Sequence, residues 1–381
     1  MQDLTITIVA HNAAETIERA LRSIRVAGEY AILLVADGCT DETVEIAQAN
    51  GGDSLTVEEL PVNRGVGTAR AHAVSKMKTP YGMWLDADDE IEPNRPAIML
   101  EALKAGADLV FDAGVLIDAS TGETLKDLPM PDFMMGPGTA VRCFERNWFP
   151  FLACGFATSF VRAIQFDTQF DCAEDYDFLL RAVAGGANIK VLNQKGYRYY
   201  HQSDSISRNL EKTRAYVKKA MEKHSFSTVA ALLDKSRLEI DEQWCVLAGH
   251  ALYRGNYDIA LEYAVKVKAE NMSVAYGMPL CQLAVFLQAT AYAKLEQWQK
   301  AYDVLAVYSD LLPSADALNN MGVILFNLGQ IKESQAAFGR ALALMPGYHD
   351  AQQNLAAVSP TAITTHPLRR TASRDGYVNK P

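Results

Sequence analysis

Trp84-Leu85-Asp86-Ala87-Asp88-Asp89-Glu90 joins an apolar approach, Tyr81 to Leu85, to three aspartates within four residues. The approach has the composition of a buried strand, so the aspartates fall at a strand end. Carboxylates packed that closely repel one another unless a cation sits among them. A hard divalent cation with oxygen ligands, Mg²⁺ or Mn²⁺, answers that need and would also gather a diphosphate. An acidic turn capping the helix that starts near Pro93 explains the same residues, because Asp-x-Asp is short and common. Both readings are open on this stretch alone.

Upstream of it the chain alternates strand and helix. Leu4 to Ala10 is β-rich and ends at His11-Asn12, and a helix with Ile17, Leu21 and Ile24 on one face follows. Ala31 to Ala36 is a second buried strand, closed by Asp37-Gly38-Cys39-Thr40-Asp41, with Asp41 placed to cap the helix from Glu42 to Ala49. Leu55 to Leu60 leads to Asn63-Arg64-Gly65-Val66-Gly67 and a helix from Thr68 to Met77. This alternation predicts a parallel sheet with helices on both faces. Ligands of such sheets bind at the carboxyl ends of the strands, where loops 11–12, 37–41, 63–70 and 86–89 all lie.

Residues 108–200 are less regular. Asp108 to Ile117 reads as a strand, Pro129 to Gly138 as a Met-, Pro- and Gly-rich loop suited to gating a site or merely to the surface, and Tyr197 to Tyr200 as a last strand ending at His201. Glu174-Asp175 opens a helix through Ala184, where acidic side chains suit the helix dipole.

The chain's 381 residues allow two domains. A net charge of −10 argues against adhesion to nucleic acid or anionic membrane. The six cysteines show no CxxC pair or metal-ligand spacing, as in a reduced, cytoplasmic protein. The first strand begins at Leu4, leaving no room for a signal peptide, and no apolar run approaches the roughly 18 residues of a membrane span.

From residue 208 the composition turns helical, and after 241 it repeats. Trp244, Ala248, Gly255 and Ala260 open a first copy; Ala289, Tyr292, Trp298, Ala301 and Pro313 belong to a second; Leu318, Gly322, Leu325, Gly329, Phe338, Ala341 and Pro346 form a third. An insertion around Asn271 to Pro279 separates the first two. Small residues at helix crossings and a closing proline make a helix–turn–helix unit of about 34 residues, which resembles the tetratricopeptide repeat.

The first 200 residues resemble an inverting family-2 glycosyltransferase of the GT-A type. The matching pieces, in the family's order, are Val9-Ala10-His11-Asn12, Asp37-Gly38-Cys39-Thr40-Asp41, Asn63-Arg64-Gly65-x-Gly67-x-x-Arg70, Asp86-Ala87-Asp88, Glu174-Asp175, and His201 with Ser205 and Ser207. Ala36 stands where the family often has an aspartate, and His72 where it often has asparagine. The QxxRW signature of processive synthases is absent after Glu174-Asp175, which favours one sugar per encounter.

The resemblance implies an α/β fold: a GT-A, Rossmann-like domain with a mostly parallel sheet over 1–207, then a helical linker over 208–240. An all-α tetratricopeptide-like domain of about three repeats follows over 241–358, and a tail without fixed structure over 359–381. It implies a nucleotide-sugar donor, a UDP-sugar first, lined by Ala10, Asn12, Asp37, Arg70, Asp86 and Asp88. Asp37 would take the base. A divalent cation, Mn²⁺ or Mg²⁺, would be held by Asp88, Asp89 and His201, with Asp86 either on the ribose or helping the metal. Asp175 would be the general base, with Glu174 beside it. Bland alternatives stand for three of these: a charged helix start at 174–175, a strand-end histidine at 201, and a sheet-end ion pair at Arg70. The repeats suggest a protein or peptide acceptor, or a homo-oligomer. A glycan, small-molecule or modified nucleic-acid acceptor stays open, as does a non-catalytic scaffold. A nucleotidyltransferase is disfavoured, because His11-Asn12-Ala13-Ala14-Glu15 lacks a basic, Gly-rich loop.

Overall fold

The computed structural model describes residues 3–149, 153–201, 210–275, 278–309 and 314–365. Ser205, Ser207 and Pro313 lie outside them. The chain divides into two compact units, one of Met1–Ala140 and Asn147–Lys223, the other of Val141–Arg146 and His224–Pro381.

The first unit opens with β1 (Leu4–Ala10), α1 (Ile17–Ala27), β2 (Ala31–Asp37), α2 (Thr43–Gly51), β3 (Leu55–Leu60), α3 (Val66–Lys76) and β4 (Tyr81–Asp86). It continues with β5 (Glu90–Ile91), α4 (Arg95–Lys104), β6 (Leu109–Asp118), β7 (Thr124–Leu128), β8 (Gly155–Ala157), α5 (Thr158–Ile164), α6 (Glu174–Ala184), β9 (Ile189–His201) and α7 (Leu210–Glu222). One sheet runs in the order β3-β2-β1-β4-β8-β6-β9-β5, with β7 paired to β6. β3, β2, β1 and β4 are mutually parallel, as the alternation predicts. β1 and β2 are buried along nearly their whole length, as strands covered on both faces must be. β8, β7 and β5 pair antiparallel, so the second half of the sheet is mixed.

A fully buried ion pair fixes that second half. Arg95, from α4, is bidentate to Asp112 of β6, with Nε and one terminal nitrogen each 2.9 Å from a carboxylate oxygen. Gly196 of β9 lies against the pair: a Cβ there would come within 2.1 Å of Asp112 Oδ2. The same guanidinium lies 4.9 Å from the Tyr197 ring centroid, so the pair also seats β9 between β6 and β5. The 129–138 loop is no free flap, because Met130 and Met134 are buried.

The second unit is helical: α8 (Phe226–Asp234), α9 (Ile240–Arg254), α10 (Tyr257–Ala264), α11 (Leu280–Lys294), α12 (Trp298–Ser309), α13 (Ala315–Asn327), α14 (Ile331–Leu344) and α15 (His349–Ala356). α9/α10, α11/α12 and α13/α14 are the three expected helix pairs. Residues of the 271–279 insertion form two short paired strands, β10 (Val274–Ala275) and β11 (Met278–Pro279). Close helix crossings explain the small residues. A Cβ on Gly322 would meet Phe338 at 2.4 Å, and Ala260, Ala301 and Ala341 are fully buried. Val141–Arg146 joins this unit through Arg142 Nε, which donates to Glu242 at 2.6 Å, and through the Phe144 carbonyl, 2.9 Å from His250 Nδ1.

Residues 359–365 fall in the stretch expected as a loose tail, and two of them are tied to the last repeat. The backbone groups of Ala362 and Thr364 are bonded to buried side chains of α13 and α15. Residues 366–381 lie outside the described residues.

Candidate active site

At the carboxyl ends of β1 and β2 the chain turns twice. Asn12 sits at φ 51°, a conformation asparagine tolerates, and its side-chain oxygen accepts from Thr40 N at 2.8 Å. Ala10 ends β1, buried and paired with Ala36. Asp37 is buried at the end of β2, and its two carboxylate oxygens accept from Arg64 N (2.8 Å) and Gly65 N (2.9 Å). Gly38 is obligatory beside it, with φ 63° and Asn63 N only 2.1 Å from where a Cβ would stand. Asp37 thus pins the 63–65 loop to the sheet, a role its sequence position did not announce. The N-cap of α2 is Glu42 and not Asp41 as expected; Asp41 stands one residue earlier and accepts from Thr43 N at 3.1 Å.

The acidic cluster splits into separate roles. Asp86 is half-exposed and ion-paired to Arg70 at 3.1 Å. Burial, and then the charge on Asp86, push the Asp88 carboxyl up to about 6. Asp89, expected among the metal ligands, already has two hydrogen-bond donors. It is 1% exposed, and its oxygens accept from the Tyr197 hydroxyl and from Tyr200 N, both at 2.7 Å. Burial, Asp88 and Asp86 hold its carboxyl well above the usual range. Its work is to tie β9 to the strand end.

Asp86 and Asp88 do fit a divalent cation. They are hard oxygen donors, and the cost of charging the half-buried Asp88 beside Asp86 is what a cation would remove. His201 ends β9 in register with Asp118. Among the described residues, no three His, Cys, Asp or Glu side chains gather as a metal-ligand group.

Arg70 is the link between the acidic pairs. It is 6% exposed, and its guanidinium donates to Asp86 Oδ1 (3.1 Å) and Glu174 Oε1 (2.8 Å) from α3. That bridges β4 to α6, whose residues are 88 positions downstream of Asp86. Ala173 enters α6 in the left-handed region, φ 54°, a strained geometry for alanine that sets the direction in which Glu174 and Asp175 leave the chain. Burial, then Asp175, push Glu174 up to about 7 against the pull of Arg70. Asp175 is half-buried, and its Oδ1 accepts from Tyr176 N at 2.7 Å.

Two partners escaped the sequence reading. Arg19 of α1 donates to the Asp88 carbonyl at 2.5 Å and lies 3.6 Å from the Tyr200 ring centroid. Tyr197 accepts from Asp86 N at 3.3 Å while donating to Asp89. A cluster of tyrosines in β9 was the available signal, but nothing local pairs it with residues about 110 positions earlier. Cys154 is fully buried, and that burial pushes its thiol up to about 12.

The raised Glu174 carboxyl has a stability consequence. A carboxyl whose folded pKa is raised binds more protons folded than unfolded, so stability falls as pH rises from about 4.5 to about 7. The slope from this group is at most about 1.4 kcal/mol per pH unit. Glu174→Gln is expected to flatten that part of the profile in urea melts at pH 5, 6 and 7. An unchanged slope would place the titration elsewhere.

Residues 5–165 match the family model of Glycosyl transferase family 2, and residues 315–348 that of the tetratricopeptide repeat. The chain is similar to the succinoglycan biosynthesis protein ExoU of Rhizobium meliloti (strain 1021), at 29% identity over 275 residues, 68% of this chain and 77% of that protein. It is also similar to ExoO of the same strain, at 29% over 222 residues, 55% of this chain and 63% of that protein. Among solved structures it aligns with S. aureus TarS 1-349 in complex with UDP-GlcNAc, at 16% identity and a TM-score of 0.49, over 92% of this chain and 93% of that one.

Proposed function

We propose that this glycosyltransferase, whose residues 5–165 form a domain of glycosyl transferase family 2, moves one sugar from a nucleoside diphosphate sugar to an acceptor with inversion at the anomeric carbon. The observation that carries the reading is Arg70, which joins the strand-end carboxylates to the Glu174-Asp175 pair and so sets a leaving-group side against a base side. Asp175 takes the acceptor proton as the hydroxyl attacks. Glu174 holds Arg70, and Arg70 keeps the two acidic pairs at fixed separation. Ala10, Asn12 and the 63–65 loop pinned by Asp37 form the floor for the nucleotide. A divalent cation, Mn²⁺ or Mg²⁺, would be held by Asp86 and Asp88 and would offset the charge developing on the leaving diphosphate. A single displacement needs no enzyme nucleophile.

The names of the relatives speak to the acceptor. ExoU and ExoO are described as succinoglycan biosynthesis proteins, so a saccharide acceptor takes precedence here over a protein. Among the described residues no helix is long and apolar enough to cross a membrane.

Incubation with a panel of nucleotide sugars, UDP-sugars first, in Mn²⁺ or Mg²⁺ should release free nucleoside diphosphate. With an oligosaccharide acceptor, NMR of the product should show the inverted anomer. Failure to turn over any donor, or retention of configuration, would overturn the proposal. Asp88→Asn is expected to shift the cation titration of activity upward by at least about tenfold. Full activity in excess EDTA would remove the metal from the scheme.

A further inference from the structure

Beyond α15 the chain runs extended across the last repeat, and asparagine side chains read its backbone. Ala362 N donates to Asn354 Oδ1 at 2.9 Å, while its carbonyl accepts from Asn354 Nδ2 and Asn319 Nδ2, both at 2.9 Å. Two residues on, Thr364 N donates to Asn320 Oδ1 and its carbonyl accepts from Asn320 Nδ2, both at 2.8 Å. A carboxamide offers one acceptor and a pair of donors, so each clamp imitates a neighbouring strand at the two-residue spacing of an extended chain.

The clamps are also tied into the repeats. Asn319, Asn320 and Asn354 are all 2% exposed or less. Asn354 Nδ2 also donates to Asn319 Oδ1 at 2.9 Å, and Asn320 Nδ2 to Thr290 Oγ1 of α11 at 3.2 Å. Amides buried in this way are costly without partners, and the segment supplies them to all three. One side chain is read as well. The Thr364 hydroxyl donates to Asp350 Oδ2 at 2.9 Å, accepts from Asn319 Nδ2 at 3.2 Å, and touches the Tyr348 hydroxyl. By contrast residues 355–359, which lead from α15 to the bound segment, are exposed, and Val358 is 94% exposed. The segment is held by its bound end and not by its tether.

We propose that the face formed by α11, α13 and α15 is a binding site for an extended peptide, and that residues 361–365 are its resident ligand, held in cis. The partner it fits in trans is a polypeptide segment able to lie extended with threonine or serine at the position of Thr364. Main-chain bonding at two alternate residues makes the site tolerant of sequence elsewhere, and the hydroxyl supplies the selection. The tethered segment acts at millimolar effective concentration, so it keeps weaker peptides out until it is displaced. The site does not depend on the sugar-transfer reading.

The test uses the full chain and a fluorescent peptide of sequence Ser-Pro-Thr-Ala-Ile-Thr-Thr, that of residues 359–365. Ala362→Pro with Thr364→Pro removes both donated N–H groups and frees the site. Anisotropy titrations should show this double variant binding the peptide at least about tenfold more tightly than the unaltered chain. Adding Asn320→Ala should abolish that binding. Equal affinity for the two chains, no binding to the double variant, or binding that survives Asn320→Ala would each overturn the proposal. Hydrogen exchange gives an independent reading without proline. The Thr364 amide should be protected in the unaltered chain and lose protection in Asn320→Ala, and a Thr364 amide exchanging freely in the unaltered chain would refute the cis ligand.

Discussion

Asp175→Asn should leave nucleotide-sugar affinity unchanged while lowering transfer by roughly 10² to 10⁴, the range of a lost general base. The replacement keeps the size of the side chain and an oxygen that can still accept from Tyr176 N, so α6 should start as before. What asparagine cannot do is take a proton. The left-handed Ala173 and the Arg70–Glu174 pair are untouched by the change, so the direction of the 175 side chain is preserved. Calorimetry with free nucleotide, beside initial rates of transfer, separates the outcomes. A fall in nucleotide affinity as large as the fall in rate would make Asp175 a donor-site or structural residue.

The half of the first unit that was legible from sequence is the half built from local signals. β1, β2 and β4 each carry an apolar run of strand length closed by Asn or Asp, and α1 between the first two shows a helical period. Parallel pairing then follows from connectivity alone. The other half is assembled from distant partners. β8 is three residues long and β5 two, both too short for any period to register, and β9 begins at Ile189, well before the aromatic run that marks its end. Arg95 and Asp112 read singly as surface charges, and only their pairing inside the sheet removes the cost of burying them.

Asp86, Asp88 and Asp89 show the same limit at the scale of one loop. Residue type and spacing mark all three as acidic and near a strand end. The assignment among them depends on Tyr197, Tyr200, Arg19 and Arg70, which arrive from β9, α1 and α3. The asparagine clamp of the last repeat was illegible for a related reason. Its ligand is a polar stretch without apolar pattern, and its order comes from side chains that sequence reading assigns to ordinary helix positions.

Arg70→Met carries the largest expected cost in stability, about 3–5 kcal/mol at pH 8, because it strips the cation from a buried carboxylate. Glu174 would keep its burial and its neighbour Asp175 but lose its contact at 2.8 Å, and Asp86 would lose its partner at 3.1 Å. Methionine fills much of the same space, so the loss is chiefly electrostatic. The sign with pH follows from Glu174, whose folded pKa is already raised to about 7 by burial and Asp175 with Arg70 pulling the other way. Without Arg70 it must rise further, and the added penalty is paid only where the unfolded carboxyl is ionised. The variant should therefore approach the parent protein in stability at pH 5 and fall away from it as pH rises to 8. Combining Arg70→Met with Glu174→Gln should recover part of the loss at pH 8, since the buried group no longer ionises, while transfer stays low because the two acidic pairs are no longer held together. Urea melts of the single and double variants at both pH values test this directly. A loss equal at pH 5 and pH 8, or none recovered by Glu174→Gln, would mean that Arg70 stabilises the domain by packing on Trp84 and not by its charge.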